Sequence, residues 1–273
     1  MNIDLHCHTN LSDGTLLPQE LVQLAIERKI DMLAITDHDN IDCHSEIIHP
    51  KEGMTIISGV EFSTTWRNTG IHIVGLNMDL TNSELLKGVA FQTKARAQRA
   101  NLIDKKLHSL GFEGCLEGAK RFCGGQQVGR PHFAQYLVEI GAVSNIQQAF
   151  KRFLGAGKVG DIKQPWASLG EVISWIRDAG GVAVLAHPTK YNITRTKLCL
   201  LLEDFIDLGG EAMEVISGTQ TISKTQSMAR ICQQHKLLAS CGSDFHALGQ
   251  PWAALGMMAQ LPSYCKPVWS KWA

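Results

Sequence analysis

Five short apolar runs in this chain end on histidine, aspartate or glutamate, and this recurrence constrains the fold more than any other feature. They are "IDLHCH", "IDMLAITDHD", "MTIISGVEFS", "VAVLAHP" and "LLASCGSDFHA"; a sixth, "GIHIVGLNM", carries its histidine early. Each run has the length and apolar density of a buried strand. Helical patterns fall between several of them. "LPQELVQLAIERK" has Pro18 in its first turn and Leu21, Leu24 and Ala25 at helical spacing. "SLGEVISWIRDAGG" opens with a capping box, Ser168 and Glu171. "TKLCLLLEDFIDLGG" and "SKTQSMARICQQHK" also read as helices, with "AMEVISG" as a strand between them. Alternating strand and helix predicts βα units and parallel strands. Such folds put their active sites at the C-terminal ends of the strands, where the polar residues fall here.

The middle of the chain reads differently. From Thr81 to Gly160 there are helices and turns but no strand pattern. "SELLKGVAFQTKARAQRANLIDKKLHSLG" reads as one long helix or two, "RPHFAQYLVEIG" opens with Pro131, and "SNIQQAFKRFLGAG" has Ser144 as N-cap and Gly155 as stop. The expected organisation is an α/β domain from residues 1–80 and 161–273, with 81–160 as a helical insertion subdomain.

The polar residues at the run ends are metal-ligand types. Side chains at i and i+2 of a strand face the same way, so His6 and His8 can reach one ion while Cys7 points away. Asp244 and His246 repeat the spacing. Asp13 follows in the loop after the first run; His38, Glu61, His72 and His187 complete the set. Imidazoles mixed with carboxylates suit Mn²⁺, Zn²⁺ or Fe²⁺, and are too nitrogen-rich for a Mg²⁺ or Ca²⁺ site. Nine candidate ligands exceed one ion's needs, so two or three ions are expected. Any one of these histidines alone would read as a hydrogen-bonded structural residue; the HxH, TDHD and DxH clusters together outweigh that reading. His44, His49, His108 and His235 read as surface or packing residues.

Composition narrows the function classes. Lys+Arg and Asp+Glu both number 26 in 273 residues, so the tight phosphate neutralisation of a duplex-DNA binder is not expected. No run approaches the roughly 20 apolar residues of a membrane helix, and the start "MNIDLHCH" lacks the basic and apolar regions of a signal peptide. Eight scattered cysteines without a C-x-x-C pair read as reduced thiols, which implies a cytoplasmic protein. "GAGKVG" matches G-x-G-x-x-G but follows a helix pattern rather than a strand, so it reads as a helix stop and loop.

In "DLHCHTNLSDG", "ITDHD", "GVEFS", "IHIVG", "AHP" and "GSDFH" the chain resembles the PHP (polymerase and histidinol phosphatase) family. The resemblance is strongest to its stand-alone TrpH/YciV-like subgroup, through the central helices and "GRPHFA" (Gly129–Ala134). It implies a distorted (β/α)7 barrel with a helical insertion, and two or three divalent ions, often Mn²⁺. His6, His8, Glu61 and Asp244 would hold the first ion, Asp13, His38 and His246 the second, and a bridging Glu61 with His72 and His187 the third. It further implies a phosphoesterase that removes the 3′-phosphate of nucleoside 3′,5′-bisphosphates, trims RNA or short oligonucleotides from the 5′ end, or both. No membrane and no obligate protein partner is implied. Ions of this kind lower the pKa of bound water towards about 7, which supplies the nucleophile. Arg130 and His132 are the candidate catalytic residues, as phosphate ligand and as phosphate donor or leaving-group acid. The same stretch also reads as a plain helix start with Arg130 solvated. Asp37 and Asp39 are candidates for orienting ligand imidazoles. The run Lys94, Arg96, Arg99, Lys105, Lys106 reads as a solvated helix face unless it lines the cleft. A histidinol-phosphate phosphatase and a non-catalytic metal-stabilised module remain open alternatives.

Overall fold

The computed structural model describes residues 1–50, 53–124, 127–163 and 166–272. It is an α/β fold whose ladders form two sheets. Strands β1 (Ile3–Asp4), β2 (Met32–Ala34) and β3 (Thr55–Ile57) make a small parallel sheet in that order. Strands β4 (Gly59–Trp66), β5 (Thr69–Leu76), β6 (Val182–Leu185), β7 (Ala212–Ser217) and β8 (Leu238–Gly242) make the second, also in chain order. Here β5 is antiparallel to both neighbours, while β6, β7 and β8 are parallel.

The sheets meet at two seams, where Cys7 bridges Phe245 and His38 bridges Glu61. At the first, Leu5 N–H donates to the Cys241 carbonyl at 3.0 Å and His8 N–H to that of Phe245 at 2.9 Å. The buried Asp4 carboxylate reinforces it by accepting from the N–H groups of Ser243 and Gly256, both at 2.8 Å. Gly242 permits the close approach, since a Cβ there would lie 2.2 Å from the Cβ of His6.

Two expectations about the strands need correction. "MTIISGVEFS" is not one strand: it breaks at Ser58, and β3 and β4 belong to different sheets. The strands are also not all parallel, because Arg67 and Asn68 both take positive φ (44° and 63°) and turn β4 back on β5. Positive φ at both central residues is the signature of a two-residue type I′ hairpin turn. This turn explains why His72 lies early in its strand. β5 runs the opposite way, so its start sits beside the end of β6, where Ala186 N–H donates to the His72 carbonyl at 3.1 Å.

Helices α1 (Pro18–Glu27), α2 (Cys43–Glu46), α7 (Leu169–Asp178), α8 (Arg195–Asp207) and α9 (Ile222–Gln234) accompany the strands. The Ser168–Glu171 box forms, with Ser168 N–H donating to Glu171 at 2.8 Å. Between β5 and α7 lie α3 (Ser83–His108), α4 (Cys115–Lys120), α5 (Arg130–Glu139) and α6 (Ile146–Ala149), the last running into a π-helical turn, Phe150–Leu154. The long helical pattern is thus a single helix, α3. The N-cap of α6 is Asn145 rather than Ser144, with its side chain accepting from Gln148 N–H at 2.9 Å. Gly155 does follow the π turn as its stop.

Ile103, Leu107, Phe133, Leu137 and Leu154 belong to an apolar cluster of their own, apart from the one that packs on the second sheet. Fully burying a side chain of this size stabilises by about 1.5–3 kcal/mol. Leu85, at the N-terminal end of α3, belongs to the sheet cluster instead, so one helix joins the two.

Candidate metal centre

Glu61 on β4 is the hub around which the expected ligands gather. Its Oε2 lies 3.3 Å from Nε2 of both His6 and His8 and 2.9 Å from Nδ1 of His38. Its Oε1 lies 2.8 Å from Nδ1 of His72 and from Nε2 of His187. Asp244 Oδ1 approaches the same two nitrogens of His6 and His8 at 3.6 and 3.3 Å. On the other side of His8, Asp13 Oδ1 is 3.2 Å from His246 Nε2, and Asp13 Oδ2 is 3.7 Å from His38 Nε2. All nine expected residues therefore meet at one place. Donor atoms of seven of them form three sets, each within 4.8 Å: His6, His8 and Glu61; His8, Asp13, His38 and His246; His38, Glu61 and His72. His187 and Asp244 join none of these sets, although each approaches one of their members.

The backbone delivers these groups in two ways. His6 and His8 follow β1 in extended chain at the seam with β8, and their Nε2 atoms lie 3.1 Å apart, as the i, i+2 argument expects. That argument fails for Asp244 and His246. Asp244 has φ 55°, so the pair lies on a left-handed turn beyond β8. His187 is similarly bent at the end of β6, with φ 26°.

The atoms fit divalent cations. Acceptor atoms crowd together at 3.1–3.6 Å around Nε2 of His6 and His8, an arrangement that repels itself unless protons or cations lie between. Glu61 Oε2, Asp13 Oδ1 and His38 Nδ1 are buried and make no hydrogen bond, although buried polar atoms nearly always do. The charges behave accordingly. Burial alone would raise the carboxylates, but the imidazoles of His38, His72 and His6 hold Glu61 well below its usual range, and His246 and His38 do the same for Asp13. Burial lowers His8 to about 3 and His72 to about 4. For His246 the carboxylates of Asp13 and Asp244 overcome burial and raise it to about 9.

Supporting residues differ from those expected. Glu214, on β7 and almost wholly buried, was not singled out in the sequence. Its Oε1 is 2.6 Å from His6 Nδ1 and its Oε2 accepts the His187 N–H at 2.5 Å. The signal was available, as an acid inside the apolar run "AMEVIS". Asp37 does not orient a ligand ring; it accepts from Thr9 N–H and Oγ1 and from Ser12 Oγ, pinning the loop that carries Asp13. Asp39 instead pairs with Arg96 and accepts from Gln92 and the Ser63 N–H. Lys190, also missed, forms an ion pair with Asp244.

A cleft of about 700 Å³ opens from Asp13, His38, His72 and His187 and runs along the insertion helices. Arg96, Arg99, Arg130, Lys163 and Lys190 line it, with Phe150, Trp166 and Tyr191. The α3 arginines are therefore buried cleft residues rather than a solvated face. Arg130, the first residue of α5, lines the cleft. His132 is not among the lining residues; it is 5% exposed and its Nδ1 accepts the Gly129 N–H at 3.0 Å. Lys158, in the "GAGKVG" loop, stays out of the cleft, although Gly155 borders it.

Imidazoles and carboxylates gathered at the strand ends of an α/β fold define a candidate divalent-metal centre beside a cationic cleft. Residues 4–179 match the PHP domain, and the chain belongs to that family. His187, Asp244 and His246 lie beyond the matched stretch. The chain is 42% identical over 273 residues to the 5′-3′ exoribonuclease Rnm of Escherichia coli K12, covering 98% of this chain and 93% of that one. It is 38% identical over 271 residues to a 3′,5′-nucleoside bisphosphate phosphatase of Chromobacterium violaceum, covering 98% and 95%. Among solved structures, an amidohydrolase from Chromobacterium violaceum with bound sulfate and no metal superposes with a TM-score of 0.91 at 38% identity, covering 99% and 95%.

Proposed function

We propose that this protein is a metal-dependent phosphoesterase acting on nucleotides. Its reactions are removal of the 3′-phosphate from nucleoside 3′,5′-bisphosphates and 5′-to-3′ trimming of RNA or short oligonucleotides. The observation that carries this is the Glu61-centred cluster opening directly into an arginine-lined cleft. Its similarity to both an exoribonuclease and a bisphosphate phosphatase supports the nucleotide reading.

In this reading His6, His8, Glu61 and Asp244 hold one ion, Asp13, His38 and His246 a second, and Glu61, His72 and His187 a third. Mn²⁺ is the proposed metal, with Zn²⁺ or Fe²⁺ compatible with the same donors. When bound, the ions neutralise the phosphoryl oxygens and acidify the water that attacks phosphorus. The chain's own groups do the rest. Glu214 keeps Nδ1 of His6 protonated, so that Nε2 faces the ions. Arg130 offers its planar fork to non-bridging phosphate oxygens. His132 is left without a part in this reading, because it is buried, lies outside the cleft lining and has Nδ1 committed to the Gly129 N–H at the start of α5.

The fold reading that goes with this is a distorted (β/α)7 barrel. The sheets β1-β2-β3 and β4-β5-β6-β7-β8, joined at both ends by the bridges Cys7–Phe245 and His38–Glu61, support it. Residues 81–160 are read as an insertion subdomain that walls the cleft, supported by their own apolar cluster. A cytoplasmic location belongs to the same proposal.

The test is a parallel assay with Mn²⁺ on a nucleoside 3′,5′-bisphosphate, a 5′-phosphorylated RNA oligonucleotide and histidinol phosphate. Turnover of the first two is expected to exceed that of the third. Preference for histidinol phosphate overturns the assignment.

A further inference from the structure

The two sides of the metal centre differ in charge. Asp13, His38, His72 and His187 open onto the cationic cleft beside the insertion helices. Asp244 and His246 are not among the residues lining that cleft; they lead into the segment after β8. Three segments adjoin there: residues 14–19 after β1, 217–223 between the end of β7 and the start of α9, and 247–256 after β8. Their sequences, "GTLLPQ", "SGTQTIS" and "ALGQPWAALG", contain no Lys, Arg, Asp or Glu.

Hydrogen bonds tie these segments together next to the ligands. Thr15 donates to the His246 carbonyl, from N–H at 2.8 Å and from Oγ1 at 3.2 Å. Thr219 N–H donates to the Trp252 carbonyl at 2.7 Å, and its Oγ1 to the Pro251 carbonyl at 3.1 Å. Gly218, at φ 60°, fits so closely that a Cβ there would lie 2.4 Å from the Trp252 carbonyl oxygen and 3.1 Å from that of Ser243, the residue before Asp244. This uncharged rim carries large apolar side chains in the open: Trp252 (60% exposed), Ile222 (78%), Leu17 and Leu248. Apolar residues exposed singly are ordinary. Here they stand on three adjoining loops around one site, the mark of an interaction surface. Glu20 and Glu27 of α1 border the groove that Leu248 lines.

We propose that this rim is a stacking platform for the bases of an RNA substrate on the 3′ side of the phosphate being cleaved, with Trp252 as its aromatic face. The proposal rests on the phosphoesterase reading and deepens it. A strand whose first nucleotide lies in the cleft, with its next phosphate on the metal centre, leaves across the open side past His246. The rim offers no cation to phosphates, and Glu20 and Glu27 repel them. Bases fit it instead, because each has an apolar π face that stacks on an aromatic side chain whatever the sequence. A nucleoside 3′,5′-bisphosphate has no nucleotide beyond its 3′-phosphate, so it does not reach the rim.

The experiment measures kcat/KM of the full chain with Mn²⁺ on a 5′-phosphorylated adenosine oligonucleotide and on adenosine 3′,5′-bisphosphate. In Trp252→Ala the oligonucleotide is expected to fall about 5- to 100-fold, the scale of a lost base–aromatic stack. The bisphosphate should change less than about twofold, and Trp252→Phe should keep most of the oligonucleotide rate. Equal losses on both substrates, or no loss on the oligonucleotide, overturn the proposal. A second arm measures binding of the same oligonucleotide to chelator-treated protein, beside one that lacks its bases beyond the first nucleotide. Wild type should prefer the base-bearing strand about fivefold or more, and Trp252→Ala should lose that preference. Equal binding of the two strands by wild type refutes the platform. This arm needs no turnover, so it separates failure of the platform from failure of the functional reading. Sedimentation completes the test: a wild-type dimer that Trp252→Ala dissociates identifies the rim as an interface between copies and overturns the proposal.

Discussion

Replacing Glu214 by glutamine tests how the metal centre is held. The carboxylate accepts at both ends, from His6 Nδ1 at 2.6 Å and from the His187 N–H at 2.5 Å. Glutamine is nearly isosteric but can accept at only one. If its NH₂ faces His187, two donors meet in a buried site, and an unsatisfied N–H costs about 1–3 kcal/mol. If its NH₂ faces His6, Nδ1 must become the acceptor. The ring proton then moves to Nε2, which points at Glu61 and His8, and His6 can no longer bind an ion. Either outcome falls in the range of lost outer partners of metal ligands, about 10- to 100-fold in metal affinity. Calorimetric titration of chelator-treated wild type and Glu214→Gln with Mn²⁺ measures it. Unchanged Mn²⁺ affinity with an unchanged rate refutes the reasoning that Glu214 sets the His6 tautomer.

Gly242→Ala places a methyl 2.2 Å from the Cβ of His6; it should cost about 1–3 kcal/mol of overpacking and weaken Mn²⁺ binding, both read by thermal melts with and without the ion. Asp39→Asn removes the acid partner of the buried Arg96 and is expected to cost about 3–5 kcal/mol in denaturant unfolding; a loss below about 1 kcal/mol would show the pair to be solvent-screened. Metal binding should release protons. Without metal, His246 titrates at about 9 and is charged at neutral pH, whereas His8, at about 3, is already neutral. Mn²⁺ affinity should therefore rise with pH from neutrality; calorimetry in buffers of different ionisation enthalpy checks this, and no proton release contradicts it.

The site was more legible than the fold. Ligand chemistry is written in residue identity, and the HxH, TDHD, VEF and DFH stretches announce it locally. Partnerships formed across the fold are not. Glu214 shows in sequence only as an acid in an apolar strand, and its role depends on β7 lying beside both His6 and His187. Arg96 and Arg99 look like any cationic helix face until the cleft, Asp39 and Trp166 are placed against them. For the fold, the apolar runs correctly marked the strands, but an unbroken run such as "MTIISGVEFS" carries no sign of passing from one sheet to another at Ser58. The β4–β5 reversal was hidden because its turn is Arg67-Asn68 rather than the Asn-Gly that usually announces positive φ. Asp244 and His246 do lie near each other, as the i, i+2 argument expects, but a left-handed residue rather than strand alternation brings them together.

Crystals grown with Mn²⁺ and measured at the manganese absorption edge test the central claim most directly. The account predicts at least two anomalous peaks around Glu61, about 2.1 Å from ring nitrogens, one bordered by His6 and His8 and another by Asp13, His38 and His246. A well-ordered cluster carrying no anomalous peak, in protein that still hydrolyses the bisphosphate, would contradict it.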